Sequence, residues 1–457
     1  MHIIILGAGQ VGGSLAEHLV HEDNDITVID TDASRLETLL KKIDIRTVHG
    51  HGAYPSMLRN AGIETAELLI AVTNSDETNM LACQIAEVLF QVPTKIARVR
   101  NVEYLKEAQL FGNEKIAVDV LISPEQLVTN FVSHLLEYPG ALQVLDFAEG
   151  KVQLVAVKAR LGGPLVGNAI YKIREHLPSV DIRVATIYRR GQALMPDGNT
   201  IIEEDDEVFF VAARSHIRTT IRELRRMENP YRHVIIAGGG HIGKGLAETL
   251  EKQFLIKIIE NNEKTAANLA EQLEEAIVLL GDATDRELLI SENIEDVDVF
   301  CAVTNDDKTN IMSAILAKRL GAKKVMALIN NPTFVDLIEG GEIDIAISPQ
   351  QATVSSLLRH VRQGNVAQVH SLRRRTAEAI EIVARGTPET SRVIGQRLDK
   401  IKLPSGATFG ALVRKSKVIM AHHDVVIEPE DHIILFVSDS EHIRDIEKLF
   451  QTSFTLL

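Results

Sequence analysis

Gly7-Ala8-Gly9-Gln10-Val11-Gly12 follows the apolar run Ile3–Leu6 and opens an amphipathic stretch, a G-x-G-x-x-G turn between a strand and a helix. The first glycine permits the tight turn, the second lets the backbone approach a pyrophosphate, and the third lets helix pack on strand. Free amide N–H groups at the positive end of the helix would hold the phosphates. Asp30 closes the next apolar run about 20 residues on, where a carboxylate accepts hydrogen bonds from a ribose diol. Such a carboxylate repels a 2′-phosphate, so NAD(H) or an adenine nucleotide is expected rather than NADP(H).

The same device returns as Gly238-Gly239-Gly240-His241-Ile242-Gly243, with Glu260 in the place of Asp30. Thr73-Asn74 and Thr304-Asn305 follow the fourth apolar run of each copy. Loops at strand C-termini line the crevice of an open α/β sheet, so these four residues are candidates for ligand contact. Helix capping by Asn74, Ser75, Asp76, Asn305 or Asp306 is the competing reading. Arg98 and Arg100 lie on or beside the strand near residue 96, where they could meet phosphate through charge-assisted bonds. Aligned by their lysines, Lys95 and Lys324, the copies share that lysine and the second has Ala327 opposite Arg98. Unequal sites are expected, the first favouring the ligand with more phosphate charge.

These loops sit inside a larger duplication. The strings Ala71-Val72-Thr73-Asn74 and Ala302-Val303-Thr304-Asn305, Ile122-Ser123-Pro124 and Ile347-Ser348-Pro349, and Leu177-Pro178-Ser179 and Leu403-Pro404-Ser405 all recur in order. Their offset of about 230 residues is far beyond a solenoid period. In the first copy strands are predicted near 3–6, 26–30, 45–48, 68–72 and 94–99, with helices over 11–20, 35–41 and 77–90. Apolar strands alternating with helices predict an α/β fold, a Rossmann-like doubly wound parallel sheet. Residues 140–212 and 380–438 instead carry short β-rich runs broken by turns such as Pro196-Asp197-Gly198-Asn199, a small α+β module of mixed strands. The expected order is a sheet domain over 1–137, a module over 138–228, a second sheet domain over 229–362 and a second module over 363–457. Helices over 123–136 and 348–361 would join each sheet to its module.

A formal net charge of −14 disfavours a nucleic-acid partner. The basic clusters Arg222–Arg226 and Arg373-Arg374-Arg375 are read as solvated faces or intersubunit contacts. No apolar run approaches the roughly 20 residues of a spanning helix, and the opening Met1–Gly7 lacks the flank of a signal peptide. Cys83 and Cys301 have neither disulfide nor metal spacing and are expected to be inert core residues, as suits a reducing cytoplasm. His49 and His51 face Leu280 and Asp282 in the second copy, and His422-His423 have no acid at motif spacing. No serine elbow, Walker lysine or zinc pattern appears, so a sensor is expected and not an enzyme. An NAD-dependent oxidoreductase and a regulator of another cation transporter, such as an efflux antiporter, are the alternatives.

On Gly7–Gly12, Asp30, Ala71–Asn74, their second-copy partners and the paired modules, the chain resembles the TrkA family across essentially its whole length. These are the peripheral, tandem RCK (KTN) regulatory subunits of Trk potassium-uptake systems, with appended RCK-C modules. The resemblance implies a homo-oligomeric ring, a tetramer, held on the inner face of the cell membrane by a potassium-channel subunit. It also implies binding of NAD(H) and of ATP or ADP. Gly7 through Val11, Asp30, Thr73, Asn74 and Arg98 would form the first site, and Gly238 through Ile242 with Glu260 would contribute to the second. The departures, Glu260 for Asp30 and the lost arginine, leave the second ligand open.

Overall fold

The computed structural model describes residues 1–20, 24–112, 115–226, 229–338, 341–362, 365–372, 377–438 and 442–452. The run Arg373-Arg374-Arg375 lies outside the described residues. Two compact units form, Met1–Val128 with Ser348–Val361, and Thr129–Ile347 with Arg362–Leu457.

In the first unit six strands, β1 (His2–Leu6), β2 (Asp25–Asp30), β3 (Arg46–His49), β4 (Leu68–Ala71), β5 (Thr94–Arg98) and β6 (Val120–Ile122), pair in the order β3-β2-β1-β4-β5-β6. Every pairing is parallel. Ile3 to Leu6 and Leu68 to Ala71 are buried on both faces, which is why these runs are apolar without alternation. The order reverses between β1 and β4, so the crevice for a ligand opens beyond their C-terminal ends. Five strands fall where the sequence puts them. The sixth, β6, is a three-residue edge strand with only Ile122 fully buried, too short to show a period. The helix Pro349–Val361, far off in sequence, belongs to this unit and packs against the helix Gln10–Leu19.

The second unit begins with β7 (Ala141–Phe147), β8 (Val152–Lys158), β9 (Ile182–Arg189), β10 (Gln192–Leu194) and β11 (Glu207–Ala213), in the order β10-β9-β11-β8-β7. A parallel sheet follows: β12 (His233–Ala237), β13 (Leu255–Glu260), β14 (Ile277–Leu280), β15 (Val299–Ala302), β16 (Lys324–Leu328) and β17 (Ile345–Ile347). Its order, β14-β13-β12-β15-β16-β17, repeats the first sheet. Last come β18 (Val366–Ser371), β19 (Glu378–Val383), β20 (Ala407–Arg414), β21 (Lys417–Met420) and β22 (His432–Val437), ordered β18-β19-β22-β20-β21. The named strands of both modules pair antiparallel and are not mixed, with tight turns joining β7 to β8, β9 to β10 and β20 to β21 where the large sheets use helical crossovers. Leu145, Phe147 and Phe209 of one share a core with Val413, Met420 and Phe436 of the other. Each locks its last turn the same way. Arg189 clamps buried Asp206 at 2.8 and 2.9 Å, and Arg414 clamps buried Asp431 at the same distances.

Candidate nucleotide sites

The first crevice is built on Gly7, whose φ of +103° lies in the left-handed region. Its N–H donates to Ile29 O at 2.8 Å, which ties the turn to β2. A Cβ added at Gly12 would stand 1.9 Å from the Gly7 carbonyl oxygen, so only glycine admits this approach of helix to strand. The helix Gln10–Leu19 starts behind Gly9 with no side-chain cap. Its first N–H groups are therefore left for an anion, as the third-glycine geometry requires. The second crevice repeats each element: Gly238 at φ +108° with its N–H on Ile259 O, Gly243 with a Cβ clash of 1.8 Å, and the helix His241–Leu250 uncapped behind Gly240.

The carboxylates sit where the spacing places them. Asp30 Oδ2 accepts the Ala8 N–H at 2.5 Å and Oδ1 accepts the Asp32 N–H at 2.8 Å. Glu260 does the same with Gly239 at 2.7 Å and Asn262 at 2.8 Å. Each carboxylate thus braces the glycine turn from the end of the second strand. Thr73 and Thr304 lie beside Gly7 and Gly238, whose added Cβ atoms would meet their backbones at 3.2 and 2.9 Å. Capping falls to Ser75 and Asp306, which accept Thr78 N–H and Thr309 N–H, while Asn74 and Asn305 are exposed and take no part in it.

Two residues that the sequence reading passed over fix these loops. Asn79 is fully buried. Its Oδ1 accepts both Thr73 N–H and Thr73 Oγ1–H, and its Nδ2 donates to Thr73 O and Arg98 O. Asn310 makes the matching bonds with Thr304 and Leu328. The repeated T-N-x-D-x-x-N spacing was the available signal. Beside them Asp76 accepts the N–H groups of Arg100 and Asn101, as Asp307 accepts those of Asn330 and Asn331.

These matching bonds correct the alignment of the fifth strands. Arg98 corresponds to Leu328 and not to Ala327, and Arg100 to Asn330. Lys95, whose N–H donates to Asp119 as that of Val325 does to Asp344, corresponds to Val325, so the lysine is not shared. The loss of both arginines stands. Arg98 is partly buried, donates from Nη2 to Thr73 O at 2.7 Å, and has a buried Nε with no partner among the described residues. Burial, and then the Arg100 charge, pull its guanidinium below the usual range. Arg100 pairs with Glu125 at 2.7 Å.

The remaining candidates lie in local contacts outside the two glycine turns. Burial pushes Cys83 and Cys301 each up to about 12, which keeps both as thiols. His49 bonds Thr31 O, His51 stacks on Tyr54, and His422 meets Asp181 at 3.3 Å near the surface. No group of three or more potential metal ligands occurs among the described residues.

The TrkA-N domain model matches residues 3–124 and 234–349, and the TrkA-C domain model matches 154–225 and 385–451. A Trk system potassium uptake protein TrkA from Halomonas elongata is 60% identical over all of both chains. Those of Vibrio alginolyticus and Haemophilus influenzae are 57% and 51% identical over 99% of both. The chain belongs to the TrkA family. Among solved structures, the GsuK RCK domain superposes with a TM-score of 0.61 at 18% identity, covering 98% of this chain and 94% of that one. The GsuK channel bound to NAD gives 0.60 at 18%, covering 98% and 78%. Those likenesses bear on the fold alone, and they agree with a TrkA-family chain of two parallel sheets and two antiparallel modules. No described helix is long and apolar enough to cross a membrane.

Proposed function

We propose that this TrkA-family chain is the nucleotide-binding gating subunit of a Trk-type potassium uptake channel, held at the cytoplasmic face of the membrane by its channel partner and assembled as a homo-oligomeric ring. The carrying observation is the pair of glycine crevices, each with an uncapped helix start and a carboxylate braced on the turn. The ligands are NAD(H) and ATP or ADP. Gly7–Gly12, Asp30, Thr73, Asn74, Arg98 and Arg100 serve the first site, and Gly238–Gly243, Glu260, Thr304 and Asn305 the second. The four domains follow the order sheet, module, sheet, module. The chain acts by differential affinity and not by turnover: a nucleotide shifts a ring only so far as it prefers one of two ring shapes.

Calorimetry on the full chain with NADH, NAD, ATP and ADP tests the reading. Saturable binding is expected, weakened separately by Asp30→Ala and Glu260→Ala. Steady consumption of NADH with a carbonyl substrate, or no nucleotide binding by the intact chain, would refute it.

A further inference from the structure

The duplication supplies an internal control for surface chemistry, and the two sheet edges fail to match. At the open edge of the second parallel sheet, Leu255 at the start of β13 is 66% exposed, and Ile277 and Leu280 at the two ends of β14 are each 55% exposed. Ile290, on the helix Arg286–Ser291 that follows, is exposed as well. Strand register puts Asp25, Arg46 and His49 at the equivalent places of the first sheet, and the matching helix carries Arg59 for Ile290. One edge is guarded by charge, as edge strands usually are; its twin, Ile277-Val278-Leu279-Leu280, is bare.

The bare edge adjoins a cleft of about 820 Å³ at the N-terminal ends of β12, β13 and β15, the end of the sheet away from the glycine turn. Leu255 and Ile277 form its apolar rim. Lys257 and Lys323 in its wall are already paired, with Glu292 at 2.8 Å and Asp298 at 2.7 Å. The exposed side chains of Arg232, Glu275 and Asp296 have no ion-pair partner among the described residues. The patch therefore carries free charge of both signs around an apolar centre.

We propose that this edge is a self-association surface, on which a second copy of the chain seats the same patch about a two-fold axis. A surface bearing its own counter-charges is complementary to itself under that symmetry, with Arg232 of each copy facing an acid of the other. The unpaired strand backbone and the leucine and isoleucine side chains are then covered together. The inference names a surface for the self-association proposed above and is independent of nucleotide binding.

The test transplants the guarded edge onto the bare one. Leu255→Asp with Ile277→Arg introduces residue types that the first sheet carries at the same positions. The assembled mass of the full chain is measured by sedimentation at micromolar concentration, beside its melting temperature and nucleotide calorimetry. The expected result is a smaller assembly, its dissociation constant raised about tenfold or more, with nucleotide affinity unchanged. Arg232→Glu should weaken assembly by itself, and adding Glu275→Arg and Asp296→Arg should restore it, a readout that survives if the first variant fails to fold. An unchanged mass in the transplant, or no rescue in the charge reversal, overturns the proposal. So does loss of co-purifying membrane subunit with the assembly intact, which assigns the edge to that partner instead.

Discussion

The two crevices of this chain share a backbone and differ in side chains at one end. Turn, uncapped helix, bracing carboxylate and buried asparagine are the same in both, down to the partners of each bond. Besides Glu260 for Asp30, the difference in charge lies at the fifth strand, where Arg98 and Arg100 stand against Leu328 and Asn330. Glycine and main-chain amides cannot drift without losing the turn, whereas a side chain reaching in from a strand end can. Duplication has thus kept the backbone of the glycine turn and released the charged side chains at the fifth strand.

The largest effect is expected from the shared part. A side chain at Gly12 or Gly243 meets a carbonyl oxygen inside 2 Å, and backbone on both sides leaves little room to relax. Gly12→Val and Gly243→Val should each cost about 1–3 kcal/mol of stability or more. Each should abolish binding in its own crevice while sparing the other, as read by melting and by calorimetric stoichiometry. Equal loss at both crevices from either variant would show that the two do not act as separate sites.

Next comes the part that differs. Arg98→Leu gives the first crevice the residue of the second. Charge-assisted bonds contribute about 1.5–3 kcal/mol, so affinity for ATP should fall roughly tenfold to a hundredfold, with a smaller fall for ADP. The preference between the two nucleotides should then approach that of the second crevice. If the ATP-to-ADP ratio is unmoved, Arg98 reads no phosphate and only braces Thr73.

A smaller effect is expected from exchanging the carboxylates. Asp30→Glu and Glu260→Asp keep the charge and the acceptors while altering reach by one methylene. Each should change nucleotide affinity by under about 1 kcal/mol, the scale of one ordinary hydrogen bond. A larger change in one crevice alone would mean that acid length, beside the arginines, sets which ligand each site takes.

Much of this was legible in the residues. The turns, strands β1 to β5 and both carboxylates follow from glycine spacing and apolar runs, because those features are dictated by local backbone geometry. The register of the fifth strand was not legible. From Thr73 to Arg98 the chain spends one residue more than from Thr304 to Leu328, and the difference is taken up where the intervening helix ends. There Gln91 adopts φ +53° in one copy and Gly321 φ +116° in the other. A lysine near the start of each strand made an ungapped match look sound. The hydrogen bonds from Asn79 and Asn310, with those accepted by Asp76 and Asp307, reveal the slip. The apolar edge was equally hidden, since Ile277-Val278-Leu279-Leu280 reads as a core strand until its neighbours are known.

The last contrast is between the helices that open with Ser123-Pro124 and Ser348-Pro349. Counting from those starts, buried Leu135 in one stands where His360 stands in the other. Burial, and then the neighbouring Arg359 charge, pull His360 down to about 4. Its Nε2 accepts from Arg359 Nε at 2.8 Å, a bond that requires the neutral ring. An unfolded chain takes up this proton near pH 6.5, so between about 6.5 and 4 the unfolded state binds a proton that the folded one does not. Stability from this group is complete above the upper value and is lost as the pH falls through that window. The melting temperature of the full chain should therefore drop more steeply on acidification than that of His360→Leu, which restores the residue of the other helix. Parallel curves for the two proteins would show that the imidazole is as free to charge when folded as when unfolded.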